Sequence, residues 1–326
     1  MKHIELGSTG IVVPRICVGC MAFGERFDDR PWVIDQDATT QIIQKALDYG
    51  LNFFDTANTY SHGTSEQFLG KALKTLGVKR EDVIIATKVY FNLTTEEHLT
   101  KKAIFQEIDG SLERLGVDYV DLYQIHRFDY NTPIEETMEA LNELVNSGKV
   151  RAIGASAMYG YQFHNMQMVA HEHNWHQFET MQNHYNLMYR EDEREMIPIC
   201  KQYNVSLIPY SPLAAGHLAR REWESDSLRF KTDKVMHNKY DHAQEKDMEI
   251  IERVYQLSQK YGHKMSEIAL AWLLHKGVAS PIIGPTKEQY LIDAVNAMDV
   301  ELSKEDMDYL EEPYIAHEVV GALAPQ

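Results

Sequence analysis

The segment LNFFDTANTYSHGTSEQFLG, residues 51–70, begins with a short apolar run and ends in a helical pattern. The bulky residues of LNFF are typical of a strand buried on both faces of a parallel sheet. Asp55 follows directly, and the polar residues after it predict that the strand ends there. Tyr60 lies in the next loop, and Thr64 or Ser65 is the predicted N-cap of the helix that follows.

Two later segments have the same form, because each is an apolar run that ends on a residue with acid–base chemistry. VIIATK ends on Lys88, and YVDLYQIH ends on His126. The carboxyl ends of parallel strands meet at one face of an α/β fold. We therefore expect Asp55, Lys88 and His126 to converge there, with Tyr60 just beyond the first strand.

Strands and helices alternate along the rest of the chain. A predicted hairpin at 3–13 precedes eight predicted strands at 16–20, 51–55, 83–88, 119–126, 150–154, 178–182, 205–210 and 280–283. The predicted helices cover 37–50, 65–76, 97–115, 134–147, 160–173, 192–203, 245–261, 266–275, 288–298 and a last segment from Lys304. No linker divides the chain, and it lacks the G-x-G-x-x-G fingerprint of a doubly wound dinucleotide fold. The prediction is α/β, with one domain over residues 1–326: a (β/α)8 TIM barrel with an N-terminal β-hairpin and extra C-terminal helices.

Residues 211–244 form a long polar and irregular interval between predicted elements. It is too polar for core, and connections of this length are usually lids or binding loops. Its basic residues would then fold over a ligand: Arg220, Arg221, Arg229 and Lys231. A solvated loop is an equally good interpretation, since acidic residues are interleaved with the basic ones.

The charge balance excludes several classes of partner. The 326 residues carry a formal net charge of −17, which argues against nucleic acid and anionic membranes. No apolar run reaches the roughly 20 residues of a membrane span, and the polar start is no signal peptide, so the protein is predicted to be cytoplasmic. The three cysteines make no disulfide framework, and Cys17-x-x-Cys20 has no second ligand pair, so no metal site is predicted. Oligomerisation stays possible.

The four residues at the strand ends suit the reduction of a carbonyl group. An ammonium beside a tyrosine favours the phenolate form, so Lys88 makes Tyr60 a candidate general acid. Asp55 would hold Lys88 charged and in place, and His126 would donate a hydrogen bond to the carbonyl oxygen. Together they can protonate the alkoxide that forms when hydride reaches a carbonyl carbon.

Lys88 also permits a second reaction class. A lysine at a buried strand end of a barrel can form a Schiff base, as in class I aldolases. Asp55 argues against this alternative, because an adjacent carboxylate keeps the lysine protonated and non-nucleophilic.

A substrate pocket is predicted from side chains that lie just past strand ends. The candidates are Met21, Phe23, Tyr90 and Phe91. Core packing is a comparable interpretation for each of them.

Several motifs carry a resemblance to a known family. They are FFDTANTYSHGTSEQFLGKAL, IIATK, LGVDYVDLYQIHRFD, GKVRAIGAS, QNHYNL and PYSPLAAG. The chain resembles an aldo-keto reductase from the hairpin to about residue 310, and within the family it looks most like the bacterial YajO-like and aryl-alcohol-dehydrogenase-like reductases. The resemblance implies NADPH-dependent reduction of aldehydes or ketones, a cofactor bound without a Rossmann fold, and a tetrad of Asp55, Tyr60, Lys88 and His126 with Tyr60 as proton donor.

The resemblance leaves one alternative function. The same reductases resemble the β subunits of voltage-gated potassium channels, which implies a nucleotide-sensing accessory subunit with little turnover. His126 argues against this alternative, because those subunits carry asparagine there.

A cofactor site is implied at the matching motif positions. Ser156 and Gln182 would hold the nicotinamide carboxamide, and the ring of Tyr210 would stack on the nicotinamide. The implied phosphate-binding residues are Ser211, Leu213 and Gly216 at the pyrophosphate, Arg221 and Arg229 as cations, and Gly284, Thr286 and Lys287 at the 2′-phosphate, by a helix N-terminus.

The resemblance also covers the adenine end of the cofactor site, and the chain departs from the family pattern at two positions. Asp293 matches the acidic position, and either Gln289 or Tyr290 takes the glutamine position. Ala157 stands where many members have asparagine, which implies one carboxamide contact fewer, and Ala294 stands where asparagine often follows the acidic position.

Overall fold

The computed structural model describes residues 1–27 and 30–316. The chain begins with an antiparallel hairpin of β1 (His3–Glu5) and β2 (Val12–Pro14). Eight parallel strands follow: β3 (Cys17–Gly19), β4 (Phe53–Asp55), β5 (Ile84–Val89), β6 (Val120–Ile125), β7 (Val150–Ser156), β8 (Phe178–Gln182), β9 (Ser206–Leu207) and β10 (Ile282–Ile283).

Helices connect these strands and cover the outside of the sheet. Their bounds are α1 (Gln36–Asp48), α2 (Thr64–Thr75), α3 (Lys101–Leu115), α4 (Ile134–Asn146), α5 (Gly160–Glu172), α6 (Met196–Gln202), α7 (Leu228–Thr232), α8 (Lys234–Tyr240), α9 (Gln244–Tyr261), α10 (Met265–His275), α11 (Glu288–Ala297) and α12 (Lys304–Glu311). No helix in the described ranges is long and apolar enough to cross a membrane.

The eight parallel strands close into a barrel. Their hydrogen-bonded order is β10-β3-β4-β5-β6-β7-β8-β9. The two ends of this order meet, because the amide of Ala279 donates to the carbonyl of Leu207 and that of Ile282 donates to Pro209, both at 2.9 Å. The predicted (β/α)8 barrel with its hairpin and its C-terminal helices is therefore confirmed.

Alternation along the strands decides which side chains enter the barrel. Phe53 packs in the interior with Ala86, whereas Phe54 packs outward in the larger cluster with the helices. Successive strand residues point to opposite faces. Asp55 and Lys88 lie two residues beyond Phe53 and Ala86, so they also enter the barrel, at its carboxyl end.

The hairpin fills the opposite end of the barrel. Leu6, Ile11 and Val13 belong to the same buried cluster as the interior residues Phe53 and Leu122. Among the described residues, the hairpin thus closes this end of the barrel, and the predicted site lies at the other end.

The start of α2 differs from the sequence-based expectation. Its N-cap is Gly63, with φ of 90°, and neither Thr64 nor Ser65 caps it. The Thr64 hydroxyl donates to the carbonyl of Ser61, and the Ser65 hydroxyl donates to that of Cys20. The predicted cap is wrong because both hydroxyls are engaged elsewhere: that of Thr64 by the preceding turn and by the amide of Glu25, and that of Ser65 by the carbonyl of Cys20.

The interval 211–244 also differs, because it contains core residues. It forms α7 and α8 after a 3₁₀ turn, Ala214–Ala219. Leu218, Trp223 and Met236 are buried in the main core cluster. The expectation that this interval is too polar for core is therefore wrong, since scattered apolar residues anchor it to the barrel.

Candidate active site

Lys88 lies at the centre of the carboxyl end of the barrel and is fully buried. Its ammonium donates to Asp55 Oδ2 at 2.6 Å, to the carbonyl of Thr56 at 2.7 Å and to Tyr60 Oη at 3.2 Å. Burial alone lowers the pKa of Lys88, but the charges of Asp55 and Tyr60 and the hydrogen bonds to them outweigh it and raise that pKa. The ammonium therefore stays charged beside the phenol.

Asp55 is held on its other oxygen by two buried amides. Gln124 Nε2 and Gln182 Nε2 donate to Asp55 Oδ1 at 3.0 and 2.9 Å, and Gln182 Nε2 also lies 3.2 Å from Gln124 Oε1. A carboxylate accepts only, so both amide orientations follow from the chemistry. Sequence reasoning missed Gln124, although this residue lies two positions before His126 and therefore points into the barrel as His126 does.

Tyr60 sits on a strained turn that follows β4. Ser61 and His62 have φ of 47° and 52°, in the left-handed region that residues other than glycine rarely adopt. Such strain persists only where the surroundings impose it, and it clusters at functional sites. Here the turn directs Tyr60 Oη back toward Lys88.

His126 follows the end of β6 and faces Tyr60. The two rings meet edge to face, with centroids 5.8 Å apart. Burial and the nearby charges of Arg127, Lys88 and Arg30 lower the pKa of His126 well below its ordinary value, so the imidazole is neutral. Its Nδ1 is buried with no hydrogen-bond partner among the described residues. A buried orphan is less costly as an acceptor than as an N–H, so the proton belongs on Nε2, available to a ligand.

Tyr210 forms the opposite wall of the site. His184 stacks on its ring with centroids 5.1 Å apart and planes 7° apart. The ammonium of Lys239, from α8, lies 4.5 Å from the centroid of the same ring. Both His184 and Lys239 therefore lie against the ring of Tyr210. Burial lowers the pKa of Lys239 to about 8, and no sequence pattern pointed to this residue.

The predicted carboxamide residues lie together at the ends of β7 and β8. Ser156 and Gln182 are hydrogen-bond register partners, and the Ser156 hydroxyl donates to the Gln182 carbonyl at 2.7 Å. Ala157 follows with φ of 41°, a region that asparagine tolerates better than alanine. A cavity of about 310 Å³ opens beside Ala157 and Tyr210.

The predicted pyrophosphate segment forms a tightly curled loop. Ser211, Ala214, Ala215 and Gly216 all have positive φ, and Leu213 lies between them. Their small side chains leave the backbone open to close approach by a ligand.

The three arginines that follow this loop in the sequence make different contacts. Arg220, not predicted as a cofactor residue, donates to the carbonyl of Gly216 at 2.8 Å. Arg229 pairs with Asp233 and lies 4.6 Å from the ring of Trp32. Arg221 instead points to the outer surface, where it pairs with Glu252 at 2.8 Å. The structure thus does not bring Arg221 to the loop.

The predicted 2′-phosphate residues lie between β10 and α11. Gly284 has open space around it, and Lys287 is the exposed N-cap residue of α11. Thr286, beside it, is half-buried. In the first turn of the helix, Gln289 donates to Asp293 at 2.7 Å, while the ring of Tyr290 is exposed.

The four predicted pocket residues divide into two pairs. Phe23 is fully buried in the core, and Tyr90 is buried and stacked on His98. Core packing is therefore the better supported of the two interpretations for both residues. Phe91 is 40% exposed, with its ring 5.3 Å from that of His126. Met21 is half-buried after β3.

Metal chemistry finds no geometric support in the part of the chain that the structure describes. No group of three or more His, Cys, Asp or Glu side chains is arranged to hold an ion there. Cys17 and Cys20 are buried free thiols, and burial raises the pKa of each. The arrangement around Lys88 instead provides a proton donor, a neutral imidazole and a fixed positive charge.

Comparison with known proteins agrees with this geometry. Residues 15–315 match the model of the aldo/keto reductase family. A Schizosaccharomyces pombe protein named as an aryl-alcohol dehydrogenase is 40% identical, with 98% of this chain and 97% of that protein covered. Versiconal hemiacetal acetate reductase of Aspergillus parasiticus is 39% identical, with 97% of each chain covered. A Saccharomyces cerevisiae protein, also named as an aryl-alcohol dehydrogenase, is 39% identical, with 96% of this chain and 97% of that protein covered.

These relatives refine the expected subgroup. They are fungal, and two carry the aryl-alcohol dehydrogenase name, so they support that part of the expectation and not specifically the bacterial YajO-like part. Since the family match and the identities extend over nearly the whole chain, the protein is an oxidoreductase that acts on carbonyl or alcohol groups, and it belongs to the aldo/keto reductase family.

Proposed function

We propose that this enzyme reduces aldehydes or ketones to alcohols with NADPH, and that Tyr60 is the proton donor. The observation that carries the proposal is the position of Lys88, whose buried ammonium contacts both Asp55 and Tyr60 Oη. We further propose that residues 1–326 form a single domain of a cytoplasmic protein whose partner is a small carbonyl substrate.

The reacting oxygen would lie between Tyr60 Oη and the His126 ring. His126, neutral because of its low pKa, donates a hydrogen bond from Nε2 to that oxygen. Tyr60 transfers its proton to the oxygen as negative charge develops there, and Lys88 stabilises the phenolate that remains. NADPH, when bound, supplies the hydride to the carbonyl carbon.

The residues at the mouth of the barrel fit a dinucleotide phosphate. Ser156 and Gln182 would hold its carboxamide end and Tyr210 its ring. The curled loop with Ser211, Leu213 and Gly216 would approach the pyrophosphate with its backbone, and Arg229 would add a cation. Gly284, Thr286 and Lys287 would meet the 2′-phosphate, where a helix N-terminus favours anions, and Asp293 with Gln289 would contact adenine. Arg221 is the weakest member of this set, because Glu252 already pairs with it.

The two alternative functions have less support. A Schiff base needs a neutral amine, whereas Asp55 keeps the pKa of Lys88 raised. An accessory subunit with little turnover would need no proton donor beside a neutral imidazole, yet Tyr60 and His126 face each other.

The test is aldehyde reduction by wild type and Tyr60→Phe. We expect the variant to lose about 10²–10⁴-fold in kcat, the usual contribution of a positioned general acid. An aromatic aldehyde such as 4-nitrobenzaldehyde is the first substrate, because two relatives are named as aryl-alcohol dehydrogenases. NADPH oxidation reports turnover, and protein fluorescence reports NADPH binding.

Tyr309→Phe is the matched control, since its hydroxyl bonds Gln256 on the outer helices. Turnover that survives Tyr60→Phe would eliminate the proposed donor. Tight NADPH binding without turnover of any aldehyde would favour the accessory-subunit alternative, and borohydride trapping of substrate on Lys88 would favour the Schiff-base alternative.

A further inference from the structure

The two residues proposed to hold the nicotinamide carboxamide have already used their polar hydrogens. The Ser156 hydroxyl donates to the backbone carbonyl of Gln182 at 2.7 Å. Nε2 of Gln182 carries two hydrogens, and it lies 2.9 Å from Asp55 Oδ1 and 3.2 Å from Gln124 Oε1. Both side chains therefore present oxygen lone pairs, and no donor, to a ligand.

These lone pairs match one half of a carboxamide. The amino group of a carboxamide donates two hydrogen bonds, which the oxygens of Ser156 and Gln182 can accept. Its carbonyl oxygen is an acceptor, and a buried acceptor that finds no donor lowers the affinity. The donor for that oxygen must therefore come from a residue other than Ser156 and Gln182.

Asn183 is a buried amide at the same edge of the barrel. It follows Gln182 directly, is 2% exposed, and lines the cavity of about 310 Å³ together with Ala157 and Tyr210. Its backbone is fixed, because its carbonyl accepts from the amide of Tyr210 at 2.9 Å. Since Ala157 follows Ser156 and Tyr210 is the proposed stacking ring, the cavity adjoins the position proposed for the nicotinamide.

The side-chain amide of Asn183 is available to a ligand in this cavity. Its Nδ2 and Oδ1 are both buried, and neither has a hydrogen-bond partner within residues 1–27 and 30–316. The carboxyl group of Asp192 is nearby: burial raises the pKa of Asp192 to about 7, and the Asn183 amide acts against that shift. Buried amides in native proteins are normally hydrogen-bonded, so the position of this one on a cavity indicates that a ligand completes it.

The lining of the cavity favours the cofactor over the carbonyl substrate. It comes from β8 and from the segments that follow β7, β8 and β9, whereas Tyr60 follows β4 and His126 follows β6. The reacting oxygen is proposed to lie between Tyr60 and His126. Asn183 is thus grouped with the proposed nicotinamide residues and not with the proposed proton donor.

We propose that Asn183 is a further cofactor-binding residue, whose Nδ2 donates a hydrogen bond to the carbonyl oxygen of the nicotinamide carboxamide. This inference rests on the proposed function. Ser156 and Gln182 accept from the amino group of the same carboxamide, so every polar atom of the carboxamide has a partner. Ala157, which has no polar side-chain atom, leaves room for this contact.

The experiment compares three oxidised cofactors by calorimetric binding to the full chain. NADP⁺ has both the carbonyl and the amino group. Its thionicotinamide analogue keeps the amino group and replaces the carbonyl oxygen by sulfur, a weak acceptor, whereas its 3-acetylpyridine analogue keeps the carbonyl and lacks the amino group. Each analogue therefore removes one half of the proposed recognition.

Asn183→Ala should bind NADP⁺ and the acetylpyridine analogue about three- to tenfold more weakly than wild type does, the usual effect of one hydrogen bond. Its affinity for the thionicotinamide analogue should stay within twofold of wild type. Asn183→Leu, for which the cavity has room, should give the same pattern without creating a void. Asn142→Ala is the matched control, because Asn142 bonds the amide of His176 on the outside of the barrel.

Two results would overturn the inference. An equal loss of affinity for all three cofactors in both Asn183 variants would show that this side chain only supports the shape of the cavity, for instance through Asp192. Unchanged affinity for all three would show that the carboxamide does not contact Asn183.

The binding measurement also separates this inference from the proposed function, because it needs no aldehyde. If NADPH reduces aldehydes but the variants do not discriminate among the cofactors, only the role of Asn183 is wrong. If the predicted pattern is found and no aldehyde is reduced, the proposed reaction is wrong and the role of Asn183 stands. If wild type binds none of the three, the proposed cofactor and this inference are both wrong.

Discussion

The buried pair of Lys88 and Asp55 shows how single side chains divide the work of the site. Asp55 uses one oxygen for the ammonium and the other for two amides, so it is fully satisfied at 2% exposure. A buried ion pair is costly to form unless such extra hydrogen bonds complete it. The hydrogen bonds from the two amides complete this pair, and the ammonium of Lys88 is thereby fixed beside Tyr60.

The ammonium of Lys239 lies 4.5 Å from the centroid of the Tyr210 ring, on which the nicotinamide is proposed to stack. His184 stacks on the same ring. A nicotinamide and the ammonium would therefore compete for the ring surface that His184 leaves open, and we expect the Lys239 side chain to move when the cofactor binds.

We predict that Lys239→Met stabilises the protein at pH 7, and that this gain becomes small only as the pH rises above 10.5. The folded-state pKa of Lys239 is about 8, below the ordinary 10.5. The unfolded chain binds the proton more tightly, so wild type loses stability as the pH falls from about 10.5 to 8, and the full penalty is present below pH 8. The expected gain at pH 7 is about 1–3 kcal/mol, measured as the difference in unfolding free energy.

The same variant tests the competition at Tyr210. NADPH affinity should increase in Lys239→Met if the ammonium only blocks the ring. A variant that binds NADPH more weakly and is no more stable at pH 7 would show that the ammonium contacts the cofactor.

At the scale of elements, the loop after β3 supports the turn that carries Tyr60. Gly24 has φ of +135°, and a Cβ there would lie 2.5 Å from Ser61 Cβ and 2.7 Å from Thr64 Oγ1. The adjacent amide of Glu25 donates to the same Thr64 hydroxyl at 3.0 Å. Two loops are therefore in close contact at a glycine.

We predict that Gly24→Ala lowers both stability and kcat. The backbone strain and the clash together should cost about 3 kcal/mol. Displacement of Tyr60 from Lys88 should lower kcat about tenfold or more, because catalysis depends on sub-ångström placement. Urea unfolding and aldehyde turnover measure the two effects.

Gly77→Ala is the matched control for this variant. Gly77 has φ of +65° with nothing within 4 Å of the added Cβ, so only backbone strain of about 1 kcal/mol is expected. Equal losses in the two variants would show that the contact with Ser61 has no energetic importance.

Most elements could be predicted from the sequence, and the exceptions have physical reasons. Because successive strand residues point to opposite faces of the sheet, the strand pattern alone places Asp55, Lys88 and His126 inside the barrel at one end. The cap of α2 could not be predicted, because Thr64 and Ser65 bond to distant segments. The position of Lys239 depends on how α8 folds over the barrel, which local pattern does not encode.

At the scale of the whole molecule, the barrel depends on contacts between its first and last strands. Arg15 Nε donates to the carbonyl of Ala279 at 3.0 Å, and its Nη2 donates to those of Val278 and Leu274 at 2.8 and 3.3 Å. One side chain thereby ties the start of the chain to the segment before β10.

We predict that Arg15→Met lowers the unfolding free energy by about 2 kcal/mol, since buried carbonyls lose charged donors. Arg15→Lys should recover little of this, because an ammonium cannot reproduce the fork of the guanidinium. Chemical denaturation measures the change, and kcat serves as the reference because the contact lies at the end of the barrel opposite the site. Full stability in Arg15→Met would show that the closure does not need this side chain.

The closure between β10 and β3 has a consequence for how the chain reaches its native state. The Ser280 hydroxyl bonds the carbonyl of Pro14 across 266 positions, so β3 has no partner on that side until almost the entire chain has left the ribosome. Non-local pairing of this kind slows folding and leaves a strand edge open to other chains. The nascent protein therefore passes through an incomplete sheet during its synthesis, and chaperone contact at that stage would act on the edge of β3.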